Sequence, residues 1–108
     1  MKQTIKIEVQ LDVNNLPESI CLNTKDQSKV NDLKAIIFSG WDSEAKETIR
    51  LDLWTKEMMV DEMFIMYHQT LMSMATSLEK STNHNKLADA LRDYCAFFAE
   101  QTKIIKSN

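Results

Sequence analysis

The fold is decided by a stretch of sixteen residues in which the hydrophobic period changes: Thr48-Ile49-Arg50-Leu51-Asp52-Leu53-Trp54-Thr55-Lys56-Glu57-Met58-Met59-Val60-Asp61-Glu62-Met63. From Thr48 to Trp54 apolar and polar side chains alternate, which is the pattern of a β-strand. After Lys56 the apolar residues recur at steps of three and four, which is the pattern of an amphipathic helix. The sequence therefore predicts one domain, residues 1–108, with a β half over 1–54 and a helical half over 59–106.

Upstream of this stretch the sequence predicts three further strands. Residues 5–11 alternate strictly, with an aliphatic side chain at every odd position. A weaker strand is expected near residues 18–23, and a third, apolar on both sides, over 33–41. Polar segments typical of turns and loops separate the strands, namely 12–17, 24–29 and 42–46.

Two helices are predicted after the last strand. The apolar stripe of the first consists of Val60, Phe64, Tyr67, Leu71, Ala75 and Leu78. The stripe of the second consists of Leu87, Leu91, Tyr94, Phe98 and Ile105. Between them the polar residues 81–85 break the pattern, and Asn83 is expected to cap the second helix. The predicted fold class is α+β: a four-stranded antiparallel sheet followed by two antiparallel helices packed on one of its faces.

The composition is that of an ordinary globular protein and disfavours several classes of partner. Hydrophobic residues make up 44% and charged residues 27% of the 108-residue chain. The net charge of −3 disfavours nucleic acids and anionic membranes, which bind basic surfaces. The N-terminus lacks the apolar run of a signal peptide, and the longest uncharged run, 63–78, is too short to span a bilayer. We expect a cytoplasmic protein without direct membrane insertion.

The first predicted helix is rich in methionine. Six of the seven methionines lie between Met58 and Met74, and Met59, Met63 and Met66 form a strip beside the main apolar stripe. One interpretation is that methionine fills gaps where this helix is covered by the rest of the domain. The other is that the strip is a homo-oligomer face or a groove for a partner.

The outward face of the fourth strand is the other candidate surface. If Ile49, Leu51 and Leu53 point inward, the intervening side chains must point outward. Those side chains, together with one at the hairpin edge, include the types enriched in interface hot spots. They are Arg50, Asp52, Trp54 and Trp41. The set is interpreted either as a plain surface ion pair with neighbouring aromatics or as a binding site for a protein.

No residue pattern indicates catalysis, a metal site or a cofactor. His68 and His84 have no further ligands at zinc-site spacing. Gly40 is the only glycine, so a glycine-rich phosphate loop is absent from the sequence. Cys21 and Cys95 form no CxxC pair, and we expect reduced thiols. The sequence therefore predicts a protein that is not an enzyme and has no cofactor.

Several short segments resemble the GldC family of gliding-motility-associated proteins. The most specific is Asp52-Leu53-Trp54-Thr55-Lys56 together with Val60-Asp61-Glu62-Met63. The other matching pieces are Leu11-Asp12, Asn15-Leu16-Pro17-Glu18, Trp41-Asp42, residues 49–51, His68-Gln69-Thr70-Leu71, Met74-Ala75, Arg92-Asp93-Tyr94-Cys95 and Phe98-Ala99-Glu100. The chain departs from the family at Gln27-Ser28, where relatives carry glycine, and at Met59, where a helix-starting proline is expected.

The resemblance implies a process and no chemical reaction. Members of this family are accessory components of gliding motility, and the resemblance brings no catalytic residues. It implies a small adaptor or assembly factor that binds proteins of the gliding or secretion apparatus, and we expect a homo-oligomer. Arg50, Trp54 and Trp41 would anchor the partner.

An alternative function remains open. Four strands followed by two helices is also the element order of certain export chaperones, a likeness at the level of the fold alone. A methionine-rich groove suits varied apolar segments because methionine side chains repack readily. The chain would then be a chaperone-like oligomer that holds client segments. A small apolar ligand between sheet and helices is a third possibility that the sequence does not rank.

Overall fold

A computed structural model of the chain describes residues 1–24 and 31–104. Its elements in chain order are β1 (Ile5–Leu11), β2 (Pro17–Thr24), β3 (Asn31–Leu33), β4 (Ala35–Asp42), β5 (Glu47–Trp54), α1 (Val60–Thr82) and α2 (Asn85–Thr102). The chain divides into two compact units, a strand unit over Met1–Met58 and a helical unit from Met59 onward. The predicted α+β class and the antiparallel strands are confirmed.

The first three strands form one antiparallel sheet in the order β1-β2-β3. The register sets Val9 of β1 opposite Ile20 of β2, and Ile20 opposite Leu33 of β3. These three side chains share one face because directly opposed residues in a ladder point the same way. Ile20, in the central strand, is buried, so this row is the centre of the strand unit's apolar face.

The last two strands pair with each other in a separate two-stranded sheet. We call this pair, residues Ala35–Asp42 and Glu47–Trp54, the β4–β5 ribbon. The prediction of one four-stranded sheet is therefore wrong, and the predicted third strand, 33–41, is divided at Lys34. The carbonyl oxygen of Lys34 accepts the backbone N–H of Thr55 at 2.8 Å and its hydroxyl at 3.0 Å. The long strand thus pairs with β2 before Lys34 and with β5 after it.

The two helices pack against each other along a line that differs from the predicted stripes. On α2 the buried side chains are small: Ala88, Cys95 and Ala99. The larger Leu87 and Tyr94, which the prediction placed on the buried stripe, are exposed. Small residues allow close approach of two helix backbones, whereas bulky ones pack at the margins of the contact.

On α1 the buried line is likewise shifted by one position. Ala75 is buried as predicted, but Tyr67 is exposed and His68 is half-buried in its place. The His68 ring stacks on Phe98 of α2, with centroids 6.3 Å apart and an interplanar angle of 28°. Phe64 meets the same phenylalanine edge-on, at a centroid distance of 6.2 Å. The aromatic contact to Phe98 therefore replaces Tyr67 in the helix pair.

The connection between the helices uses its polar residues differently from the prediction. Asn83 ends α1 in the left-handed conformation, with φ of 59°, and its N–H donates to the carbonyl of Glu79. Asparagine tolerates that conformation better than most residues. The N-cap of α2 is His84, whose Nδ1 accepts the N–H of Leu87 at 3.2 Å.

Some predictions lie outside the described residues or remain untested. The predicted loop at 24–29 falls largely on residues that the structure does not describe, although Thr24 itself ends β2. Ile105 also lies beyond the described range. The packing of the helices on a face of the sheet stays a prediction. Neither α1 nor α2, over the described residues, has the length and apolarity to cross a lipid bilayer.

Candidate protein-binding face on the β4–β5 ribbon

The ribbon's register places all four predicted site residues on one face. Residues directly opposite each other are Trp41 and Thr48, Ser39 and Arg50, Ile37 and Asp52, and Ala35 and Trp54. Opposed residues point to the same side of a ladder, and so do residues two apart on one strand. We call this side the tryptophan face; it carries Trp41, Arg50, Asp52 and Trp54.

The two tryptophans stand at opposite ends of this face. Trp41 lies opposite Thr48, six residues before Trp54 on β5, which corresponds to about 20 Å along the strand. The side chains remain accessible, with 66% of Trp41 and 58% of Trp54 exposed. Large aromatic side chains are usually covered, so two at this exposure on one face indicate a surface that another molecule can cover.

An ion pair occupies the middle of the tryptophan face. Nη2 of Arg50 lies 3.2 Å from Oδ1 and 3.0 Å from Oδ2 of Asp52. Both side chains are exposed to water, so the pair contributes little to stability. In this pair the guanidinium reaches along β5 toward Asp52, and both residues lie between the two tryptophans on the face. An oriented arginine flanked by aromatics has the composition of an interface hot spot.

Local hydrogen bonds hold the ribbon in register at both ends. At the hairpin end, Oδ1 of Asp42 accepts the backbone N–H groups of Glu44 and Ala45, at 3.0 and 3.2 Å. Lys46 completes this turn in the left-handed conformation, with φ of 56°. At the other end Thr55 is buried and both of its donors bind Lys34. These hydrogen bonds therefore hold the backbone of the two strands that carry the tryptophan face.

The opposite face of the ribbon is apolar and was expected to be buried. It pairs Phe38 with Leu51 and Ile36 with Leu53. However, Leu51 is 40% exposed and Ile49 is 57% exposed, so the expectation that these side chains point into a core is wrong for them. Strand alternation revealed which residues share a face. It carried no signal about whether another element covers that face.

A polar pocket of about 190 Å³ lies elsewhere in the strand unit. It is lined by Asp12, Pro17, Glu18, Lys56 and Glu57. Nζ of Lys56 lies 3.2 Å from Oδ2 of Asp12 inside it. Sites for small organic ligands are mostly apolar with a few polar groups. Four of the five residues that line this pocket carry charged side chains, and sequence reasoning did not single it out.

Asp12 itself stabilises the turn between β1 and β2. Its Oδ1 accepts the N–H of Leu16 at 3.0 Å and the N–H of Asn14 at 2.8 Å. These bonds, and then the neighbouring Lys56, hold the pKa of the Asp12 carboxyl below its ordinary value of 3.8. The lowered pKa has a local structural cause.

The predicted methionine strip is only partly accessible. Met59 immediately precedes α1 and is exposed, whereas Met63 and Met66 are half-buried. Met72 and Met74, which were not in the predicted strip, are exposed as well. The assignment of the strip as an oligomer face or a groove stays a prediction.

Both histidines and Cys21 make contacts that stabilise the fold. His68 stacks on Phe98, and His84 caps α2. The thiol of Cys21 donates to Oδ1 of Asp32 at 3.4 Å, and this bond, with partial burial, raises the pKa of Cys21. A raised pKa keeps the thiol protonated and weakly nucleophilic. Across residues 1–24 and 31–104 no group of three or more histidine, cysteine or acidic side chains could hold a metal ion.

Comparison with known families identifies the chain. A profile of the gliding motility-associated GldC-like proteins matches residues 17–104. The chain belongs to the GldC-like family. The match covers both strands of the β4–β5 ribbon and both helices, so the family assignment made from the sequence is confirmed. The segments Leu11-Asp12 and Asn15-Leu16 precede the matched region of this GldC-like chain.

The family name associates this GldC-like chain with gliding motility. A search of curated proteins found no match, and a search of solved structures found none either. No relative therefore transfers a ligand or a reaction to the tryptophan face.

Proposed function

We propose that this GldC-like chain is a non-enzymatic, cytoplasmic adaptor or assembly factor of gliding motility. It binds protein components of the motility or secretion apparatus through the tryptophan face. The observation that carries the proposal is the placement of Trp41, Arg50, Asp52 and Trp54 on one exposed side of the ribbon. Family membership supports the process, and the geometry supports the binding surface.

The mechanism that we propose is the burial of the two tryptophans by a folded partner. Each indole would exchange water for the partner's side chains, and Arg50 would contact a carboxylate or a backbone carbonyl between them. Such anchors typically carry most of the binding energy of an interface.

The test is quantitative affinity capture from native lysate with wild type and Trp54→Ala as baits. Recovered motility or secretion components are then purified and titrated against both baits. Truncation of a hot-spot residue typically costs at least about 2 kcal/mol, or roughly a thirtyfold loss of affinity. Phe97→Ala is the matched control, because it removes an aromatic of similar exposure, 52%, from α2.

Three outcomes decide between proposals. Loss of binding in Trp54→Ala with retention in Phe97→Ala supports the adaptor. Equal binding of all three baits contradicts the tryptophan face as the partner site. Weak recovery of many unrelated proteins, together with suppression of aggregation of a denatured model substrate, favours the chaperone-like alternative.

The exposed methionines are the observation that favours that alternative. Met59, Met72 and Met74 are accessible in the helical unit, and methionine adapts to varied apolar segments. Met72→Gln with Met74→Gln would then abolish aggregation suppression, whereas Trp54→Ala would leave it intact.

A further inference from the structure

The outer edge of β5 is an open strand edge. Among the described residues, β5 has β4 as its one hydrogen-bonded neighbour. All eight residues of β5 except the half-buried Leu53 are exposed. A two-stranded antiparallel ribbon is at best marginally stable in water, and three or more strands are normally required. An open edge with alternating apolar side chains is a template for another strand.

The hydrogen bond of Thr55 determines which residues of β5 direct their backbone N–H and C=O groups toward the open edge. The N–H of Thr55 donates to the carbonyl of Lys34. Continuing the register by one residue beyond the Ala35–Trp54 pair sets Lys34 opposite Thr55, so Thr55 belongs to a hydrogen-bonded pair. In an antiparallel ladder such pairs alternate with pairs whose backbone groups point away from the partner strand. The backbone N–H and C=O groups that point toward the open edge therefore belong to Thr48, Arg50, Asp52 and Trp54.

We propose that two copies of this chain associate by antiparallel pairing of their β5 strands, centred on Leu51. Arg50 then lies opposite Asp52 of the second copy, and Asp52 lies opposite Arg50 of the second copy. The backbone phase allows this register because both residues direct their backbone groups to the open edge. The product is a four-stranded sheet in the order β4-β5-β5-β4.

The charges of Arg50 and Asp52 favour this register over the two registers centred one residue to either side. Moving the centre to Arg50 sets the two arginines directly opposite each other. Moving it to Asp52 sets the two aspartates opposite each other. Like charges across a ladder destabilise it and opposite charges stabilise it. Only the register centred on Leu51 pairs each arginine with an aspartate, so the strand is complementary to itself.

The remaining side chains fit the same register. On the apolar face, Leu51 meets Leu51 of the second copy, and Ile49 meets Leu53. On the tryptophan face, Thr48 meets Trp54, a pairing of a β-branched residue with an aromatic, which favours cross-strand contact. The exposed apolar face of each ribbon becomes half of a larger continuous face. The pairing shares residues with the tryptophan face, but self-association of the purified chain, with no partner present, tests it separately from the partner proposed above.

The decisive experiment is a charge exchange followed by sedimentation analysis. Wild type is expected to sediment at twice the monomer mass of 12.5 kDa. Arg50→Asp places aspartates opposite aspartates, and Asp52→Arg places arginines opposite arginines. Each variant alone is expected to lose at least about tenfold in self-affinity. An equimolar mixture restores both opposite-charge pairs and is expected to form heterodimers with wild-type affinity.

A monomeric wild type overturns the proposal. So does unchanged self-association of either charge variant, or a mixture that fails to associate. Far-UV circular dichroism checks that the helices of each variant are folded, and tryptophan fluorescence checks the strand unit; both substitutions lie at exposed positions.

Cysteine cross-linking tests the register separately. Leu51→Cys places its thiol across the two-fold axis, at a Cα separation of about 4.5 Å in a non-hydrogen-bonded pair, which a disulfide can bridge. Ile49→Cys is the matched control, because its copies would be four residues out of register and too far apart to bond. Oxidation is expected to cross-link the first variant and leave the second uncross-linked. The reverse result, or equal cross-linking of both, overturns pairing centred on Leu51.

Discussion

The helical unit and the β4–β5 ribbon differ in how much of their apolar side-chain surface they bury. The helices bury Ala75 on α1 and three small residues on α2, and an ion pair joins Arg92 to Glu79, with 2.9 Å between Nη2 and Oε1. The ribbon leaves aromatic and aliphatic side chains exposed on both of its faces. A helix satisfies its backbone within itself and needs one covered stripe. A strand pair leaves two faces and two edges to be covered.

The difference indicates where the chain has surface left for other molecules. In the helical unit the buried positions of α2 hold residues no larger than cysteine, so the fit between the helices should be sensitive to added volume. In the ribbon the side chains have space around them. Substitutions should therefore act on stability in the helices and on association in the ribbon.

The largest effect is expected from overfilling the contact between the helices. Ala88 is fully buried, and Ala88→Leu adds three carbons at a position closed to solvent. We expect the free energy of unfolding to fall by about 1–3 kcal/mol. Urea denaturation followed by far-UV circular dichroism, which reports mainly on the helices, measures this change.

The control for that substitution lies two residues away in the same helix. Ala90 is exposed, and Ala90→Leu should change stability by no more than about 0.5 kcal/mol. If both leucines were equally tolerated, the contrast between a close-packed helix pair and an open ribbon would fail.

A smaller effect is expected from acid on the strand unit. The fold stabilises the charged form of Asp12 and lowers its pKa below 3.8. This contribution is complete above the unfolded-state pKa and is lost as pH falls through the lower, folded-state pKa. Wild type should therefore lose stability on acidification below about pH 4, and Asp12→Asn should lose less over the same interval.

Tryptophan fluorescence separates this effect from changes in the helices, because both tryptophans lie in the strand unit. Asp93→Asn, at an exposed position of α2, is the matched control that removes a carboxylate without touching the turn. Identical acid sensitivity of wild type and Asp12→Asn in the fluorescence transition would contradict the role of this carboxylate.

The smallest effect is expected at Gly40 in β4. A Cβ built there meets the Phe38 ring at 3.4 and 3.6 Å, which is ordinary contact, and the backbone φ is not positive. Gly40→Ala should raise the free energy of unfolding by about 0.5 kcal/mol, since it restricts the unfolded chain. Thermal denaturation followed by tryptophan fluorescence measures the change, with Ser39→Ala on the other face as control. A loss of stability would show that the ribbon is as tightly packed as the helix pair.

Local pattern predicted the helices and the antiparallel strands, and it predicted that three of the candidate residues share one face of β5. The period change near Trp54 marks the end of β5, and the alternation from Thr48 onward placed Arg50, Asp52 and Trp54 on one face. Trp41 joins them because the register pairs it with Thr48. The family assignment also followed from short segments of sequence.

The hydrophobic pattern did not predict which of two neighbouring residues on a helix is buried. The buried line of α2 runs through Ala88 and Cys95, with the larger Leu87 and Tyr94 beside it. Hydrophobicity favours the larger residues, whereas close approach of two helices favours the small ones. Spacing of three and four residues through Ala88, Arg92, Cys95 and Ala99 was a signal in the sequence that could have located this line.

The sequence by itself determined the antiparallel strands, the two helices, the shared side of Arg50, Asp52 and Trp54, and the family. These follow from local periodicity and from contiguous segments, which need no knowledge of distant contacts. Only the tertiary structure decided that the third strand changes partner at Lys34, that β5 is left with an open edge and that His68 lies in the helix contact. Those features depend on which groups separated in sequence meet in space, as when Thr55 binds the carbonyl of Lys34.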